Sequence, residues 1–209
     1  ARFDYPAIVS VNTFASQGAT AKYASEKTNP NINILGGDRE YITTGGYSLS
    51  DGRNFSKSEV DYGANVVIIG EEIKTRLFPN LNPIDKFILL GNNKYKIIGI
   101  FEKKGSGASF GGDKVCVVPL LKARQISTNA RPSYTITVMS LDSKQSESTI
   151  GEATALFRNI RGLSAGQGDN FEITKSDAIV QTLLQNIKWV TIGAIVIAFV
   201  TLVGASIGL

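Results

Sequence analysis

Three observations predict an α+β fold that continues into a membrane-spanning helix. Short apolar runs of period two alternate with short helical patterns along the first 160 residues. A strand–helix–strand order closes that part. The final stretch, Trp189–Leu209, carries no charge over 21 residues. As a helix it would be about 31 Å long, close to the roughly 30 Å hydrocarbon core of a bilayer. Its eleven Val, Ile, Leu and Phe residues favour insertion, at roughly −0.3 to −0.6 kcal/mol each near the helix centre. Lys188 and Trp189 stand where a snorkelling cation and an interfacial aromatic belong. A buried core helix is the competing reading, but a soluble helix of this length normally shows one polar face.

Taken in order, Ala7–Val11, Ala19–Ala24 and Ile32–Leu35 read as strands. Thr28-Asn29-Pro30-Asn31 forms a turn between them by its residue types. Gly45-Gly46 and Asp51-Gly52 mark further turns. Asn65–Ile69 is a strand of the buried type, ended by Gly70. Glu71–Phe78 is a short helix with Ile73, Leu77 and Phe78 on one face. Its two first-turn acids favour the helix dipole, and no second polar cluster points them toward acid/base chemistry. Phe87–Leu90 and Lys94–Phe101 make a hairpin around Gly91-Asn92-Asn93. In the second of these strands Lys94 and Lys96 alternate with Tyr95 and Ile97, so one face is wet and the other packed.

Val115–Val118 is another apolar strand, followed by a helix over Pro119–Ser127. Ser133–Ser140 alternates, with Tyr134, Ile136 and Val138 on one face. Ser146–Ile160 is an amphipathic helix, its apolar positions Ile150, Ala153, Phe157 and Ile160 at helical spacing. Phe171–Thr174 reads as a short strand. The strand–helix–strand order suggests a split βαβ unit completed by the N-terminal strands. From Ser176 the pattern is helical to the end, with Ser176 or Asp177 as cap. Residues 176–188 are thus a stalk helix and 189–209 a transmembrane helix. Gly204 and Gly208 form a small-xxx-small pair suited to helix packing in lipid.

Composition excludes several function classes. There is no histidine, so neither a Ser-His-Asp nor a Cys-His arrangement exists in this chain, and no site with histidine ligands. The single cysteine, Cys116, sits in the apolar run VCVVP and reads as a buried small hydrophobe. Net charge is +4 with no Lys/Arg run, which argues against a nucleic-acid partner. The glycine-rich KKGSGASFGGD at Lys103–Asp113 is not a phosphate cradle. No Gly-Lys-Ser/Thr enters a helix there, and Phe110 occupies the place of a dinucleotide fingerprint's third glycine. It reads as a mobile loop tip whose Phe110 could touch a partner.

The middle of the chain resembles a known family. Leu49 with Gly52-Arg53-Asn54-Phe55 is similar to its L-x-x-G-R-x-F signature. Val67-Ile68-Ile69-Gly70, Leu77-Phe78, Asp85-Lys86-Phe87-Ile88, Tyr95-Lys96-Ile97-Ile98-Gly99-Ile100 and Val117-Val118-Pro119-Leu120 follow in the family's order. Together they resemble the MacB-like periplasmic core domain of FtsX-like ABC transporter permeases. The resemblance implies an extracytoplasmic domain between the first two of four spans in the cytoplasmic (inner) membrane. It implies two lobes: a membrane-proximal α/β lobe from residues 1–42 and 130–175, and an inserted, mostly-β lobe from 43–129. It implies a structural role for Gly52, Arg53, Phe55, Gly70, Leu77, Phe78, Gly99 and Pro119.

The same resemblance implies function. The permease works as a homodimer or with a related permease, beside a cytoplasmic ATPase that binds ATP and Mg²⁺. This chain itself would hold no catalytic residue, cofactor or metal. Nucleotide-driven motion would pass up the stalk to the outer domain. Members serve drug or peptide efflux with a periplasmic adaptor and outer-membrane channel, lipoprotein release, or control of cell-wall hydrolases; efflux is the leading expectation. Two other classes compete. A membrane-anchored sensor or binding module would lack the ATPase and the further spans. A membrane-bound hydrolase has neither histidine nor a paired-acid constellation to support it.

Overall fold

The computed structural model describes residues 7–103, 113–127, 132–142 and 146–175. The predicted loop tip at 104–112, the stalk and the span, with Gly204 and Gly208, lie outside them. Among the described residues no helix is long and apolar enough to cross a membrane. The chain divides into two compact units, Asp4–Gln145 and Ser146–Leu209 with Ala1–Phe3.

The larger unit is built on one mixed sheet. Its strands are β1 (Ala7–Ala19), β2 (Ala21–Tyr23), β3 (Glu26–Lys27), β4 (Ile32–Gly37), β5 (Leu49–Gly52), β6 (Val66–Ile69), β7 (Phe87–Leu90), β8 (Asn93–Phe101), β9 (Val115–Pro119) and β10 (Tyr134–Ser140). They lie in the order β10-β1-β4-β9-β6-β8-β7-β2-β3, and β5 also pairs with β8. The pairs β4–β9 and β6–β8 are parallel and the others antiparallel. Strands from residues 43–129 form an unbroken block in the middle, and strands from 7–42 and 134–140 flank it. One sheet therefore crosses both positions at which the sequence reading divides the chain into lobes.

Strand alternation explains two cores. Successive side chains of a strand point to opposite faces. In β6, Val67 and Ile69 join one core and Val66 and Ile68 the other; in β9, Cys116 and Val118 separate in the same way from Val115 and Val117. Both strands are buried throughout, which is the sequence habit of a strand covered on both faces. Helices α3 (Glu71–Leu77) and α4 (Leu120–Ile126) cover the first face with Ile73, Leu77 and Ala123, and Phe78 follows α3 into the same core. The second face is covered by α1 (Tyr41–Thr44) and by Tyr47 and Phe55, the latter just before α2 (Lys57–Asp61). Burial of each large apolar side chain contributes about 1.5–3 kcal/mol.

β1 is longer than its apolar pattern predicts, because it pairs with β10 over Ala7–Thr13 and with β4 over Asn12–Ala19. Ladder hydrogen bonds carry the strand through its polar half, where hydrophobic alternation fades. The β7–β8 hairpin turns at Gly91-Asn92, with Gly91 at φ +58°.

In the smaller unit, helix α5 (Ser146–Ile160) lies where the spacing predicts. The segment after it is not the strand expected at Phe171–Thr174. The Arg158 guanidinium, near the end of α5, donates to the carbonyls of Ser164 and Gln167, both at 2.9 Å, and pairs with Asp169. The Phe171 ring lies 5.1 Å from that of Phe157. The chain thus folds back onto its own helix, so the βαβ reading loses its last strand among the described residues.

Candidate functional site

The family-motif residues are spread along the chain, and the fold gathers four of them, Gly52, Arg53, Phe55 and Gly99, at one corner. β5 pairs antiparallel with β8, and Gly52 stands opposite Gly99. Gly52 has φ +81°, and a Cβ there would lie 2.3 Å from the Ile98 carbonyl oxygen. A Cβ at Gly99 would lie 2.8 Å from the Arg53 carbonyl oxygen. Two glycines are therefore needed for the backbones to approach this closely, and only glycine takes that φ without strain. The Arg53 N–H donates to the Ile98 carbonyl at 2.9 Å.

From this crossing the Arg53 side chain reaches to α2. Its guanidinium donates to both oxygens of Glu59, at 2.7 and 2.8 Å. Glu59 is also the third residue of a capping box: its carboxylate accepts the Ser56 N–H at 2.8 Å, and the Ser56 hydroxyl accepts the Glu59 N–H at 3.3 Å. A bidentate charge-assisted pair is stronger and better oriented than a single contact. The guanidinium holds the Glu59 carboxyl well below the usual range, at about 2, and the Ser56 N–H adds to this. Between them, Asn54 accepts the Phe55 N–H and donates to the Arg39 carbonyl, and Phe55 is buried in the second core. The G-R-x-F stretch is a corner brace of crossing, clamp, cap and anchor.

The remaining motif residues sit elsewhere on the sheet. Gly70 precedes α3, and a Cβ there would fall 2.2 Å from the Asp113 carbonyl oxygen. Leu77 and Phe78 seal the first core, with the Phe78 ring 4.2 Å from that of Tyr23. Pro119 ends β9 opposite Gly37 and leads into α4. Ser56, Glu59 and Gly36 belong to the same frame but are not in the motif series. The Ser-x-x-Glu spacing of a capping box was there to be read. Gly36 gives no local signal; a Cβ on it would lie 2.2 Å from Ala123 Cβ, a clash made by distant sequence.

Chemistry has little to work with here. An open cleft of about 310 Å³ is lined by Glu71, Glu72, Thr75, Lys103 and Asp113. Glu71 pairs with Lys74 at 3.0 Å and Glu72 approaches Lys114 at 3.8 Å. These are ion pairs around a helix start, where carboxylates are favoured by the dipole. Cys116 is buried, and burial pushes its thiol well above the ordinary value, away from the thiolate a nucleophile needs. Among the described residues no group of three or more acid or cysteine side chains could hold a metal ion.

Comparison with known proteins places this frame. The pattern of the MacB-like periplasmic core domain matches residues 1–176. The chain belongs to that family. A macrolide export ATP-binding/permease protein MacB 2 of Yersinia pestis bv. Antiqua (strain Antiqua) is 29% identical over 205 residues, 96% of this chain and 29% of the relative. A pyoverdine export ATP-binding/permease protein PvdT of Pseudomonas entomophila (strain L48) is 29% identical over 167 residues, 78% of this chain and 24% of the relative. The chain thus spans less than a third of the length of these relatives. In structure it is similar to the periplasmic region of MacB from Actinobacillus actinomycetemcomitans, with TM-score 0.67 at 23% identity over 87% of this chain and 78% of that one. The extracellular domain of the noncanonic ABC-type transporter YknZ from Gram-positive bacteria follows, with TM-score 0.57 at 23% identity over 74% and 76%. The α+β architecture of this chain is therefore shared with these two solved domains.

Proposed function

We propose that this periplasmic core domain is the outer, force-receiving part of an ATP-driven export permease. The observation that carries the reading is the family match over residues 1–176, together with relatives named as macrolide and pyoverdine exporters. The physics agrees with a moving body. The central strands β6 and β9 are buried on both faces, and such a centre is stiff, because packed cores are discrete rather than continuously deformable. The corner brace ties β5 to β8 and, through Arg53, to α2.

In this reading Trp189–Leu209 spans the cytoplasmic (inner) membrane, 176–188 is a stalk, and Gly204 and Gly208 pack against a neighbouring helix. ATP and Mg²⁺ act in a cytoplasmic ATPase, fused or separate. The permease works as a dimer, and efflux of drug- or peptide-type substrates with a periplasmic adaptor and outer-membrane channel is the leading use. The lobes at 1–42 with 130–175 and at 43–129 act as two functional parts, each contributing strands to one sheet. The eight motif residues from Gly52 to Pro119 keep the body rigid rather than bind cargo.

A flexible Gly-Ser segment inserted beside Ser176 tests the coupling. Substrate export by the complete protein should collapse while ATP hydrolysis persists. Export that survives the insertion would end the reading.

A further inference from the structure

We propose that the outward face of β3, β2, β7 and β8 docks a protein partner that presents carboxylates around an apolar segment. Residues directly opposite in antiparallel strands share a face. The registers Lys22↔Lys27, Lys22↔Leu89 and Leu89↔Lys94 therefore set Lys27, Lys22, Leu89 and Lys94 in one cross-strand row. At about 4.8 Å between strands the row is about 14 Å long. Phe87 and Lys96 stand opposite one another in the next row on the same face. The opposite face of these strands is the first core, with Ala21, Ile88, Leu90, Tyr95 and Ile97.

Three features distinguish this face from an ordinary solvated one. First, Lys22 and Lys27 are like charges directly opposite, an arrangement that destabilises a strand pair. Among the described residues neither they nor Lys94 has an acid within ion-pair distance, whereas Lys96 holds Asp85 at 2.7 Å. Second, Phe87 and Leu89 are 50% and 43% exposed at alternate positions of one strand. The Lys94 ammonium lies 4.7 Å from the Phe87 ring centroid, a cation–π contact beside the apolar pair. Third, lysines guard exposed sheet edges against mispairing, but that need ends at the outermost strand. Here only Lys27 is on the edge strand; Lys22 and Lys94 lie on strands paired on both sides.

Charge complementarity therefore asks for carboxylates flanking a short apolar stretch. A protein fits better than a lipid surface. Phe87 and Leu89 stand on a flat sheet face between lysines, whereas interfacial membrane binding buries an apolar face about 5–10 Å deep. This inference is independent of the coupling reading. A harmless Gly-Ser insertion would end that reading and leave this surface standing.

The test uses the complete protein in its native membrane, with a photo-crosslinking amino acid at Leu89 and, as a control, at exposed Leu121. Support is an adduct from Leu89 and none from Leu121, mapped to a protein segment with Asp or Glu beside apolar residues. Its yield should fall about tenfold in the Lys22→Glu/Lys27→Glu/Lys94→Glu variant, three exposed charges acting together. The Lys57→Glu/Lys122→Glu/Arg124→Glu variant, of equal net charge, should leave it unchanged. Reversing the partner's mapped carboxylates to lysine should restore the yield in the first variant. An adduct with lipid, no adduct, or a yield indifferent to the three lysines overturns the proposal.

Discussion

The two faces of the sheet are held in different ways. The first is covered by α3 and α4 and filled mostly by aliphatic side chains, with Phe78 and Tyr95 as its large aromatics. The second is covered by the four-residue α1 and by loop-borne side chains, and its aromatics touch in series: Tyr41 to Tyr47 at 5.9 Å, Tyr47 to Phe101 at 4.7 Å. It is pinned by polar contacts, including Arg53–Glu59 and the hydroxyl pair of Ser10 and Thr44. One face depends on apolar area. The other depends on backbone fit and a few oriented hydrogen bonds. Stability should therefore respond to lost volume on the first face, and to lost geometry on the second.

The largest effect tests the first face. Phe78→Ala removes a buried ring from the seal behind α3 and should cost about 3–5 kcal/mol in denaturant unfolding. A loss below 1 kcal/mol would mean that the face does not rest on apolar area. Next, Gly52→Ala puts a methyl group onto the Ile98 carbonyl at a positive φ, and should cost about 2–4 kcal/mol. Hydrogen exchange should speed at Arg53 and Phe55 more than at Val118, because the damage is to the second face. Equal acceleration at all three amides would erase the distinction.

A pH series sharpens it further. The Glu59 carboxyl has its folded value depressed to about 2 by Arg53 and the Ser56 N–H. A depressed acid contributes stability that is complete above its unfolded value near 4.5 and is lost as pH falls toward 2. The wild-type protein should weaken across that window, and Glu59→Gln should be weaker at neutral pH with a flatter profile there. A profile unchanged by Glu59→Gln would remove the clamp from the account. The smallest change is Tyr95→Phe. The Tyr95 hydroxyl is buried in the first core without a hydrogen-bond partner among the described residues. Burial pushes its pKa up to about 12. Removing it should stabilise the protein by about 1 kcal/mol, read as a higher melting temperature. A comparable loss would mean that the oxygen has a partner.

The strands that read most clearly, β6, β9 and the second half of β8, are those where burial on both faces writes an apolar run into the sequence. Elements held by other means were harder to read. α1 and β5 appear in the sequence only as Gly45-Gly46 and Asp51-Gly52 turns, because four-residue elements leave too little periodicity. The polar end of β1 is a strand because β4 lies beside it. Phe171–Thr174 has the composition of a strand, yet Phe171 stacks on Phe157 instead, a competition that composition does not reveal. Within the frame around the motif, the left-handed Gly52 and the Ser56–Glu59 box carry local signals. The need for glycine at Gly36 and Gly99 comes from backbones brought together by the sheet.

By itself the sequence determined the class of protein: no histidine, one cysteine in an apolar run, apolar strand runs and an ordered series of weak motifs that together resemble the MacB-like periplasmic core domain. These are properties of composition and local spacing, which survive without a fold. Only tertiary structure decided that β9 from the middle of the chain lies beside β4, that Gly52 meets Gly99, and that Lys22, Lys27 and Lys94 share one row. Strand order and register are long-range choices, set by which faces must be buried together, and no short window of residues contains them.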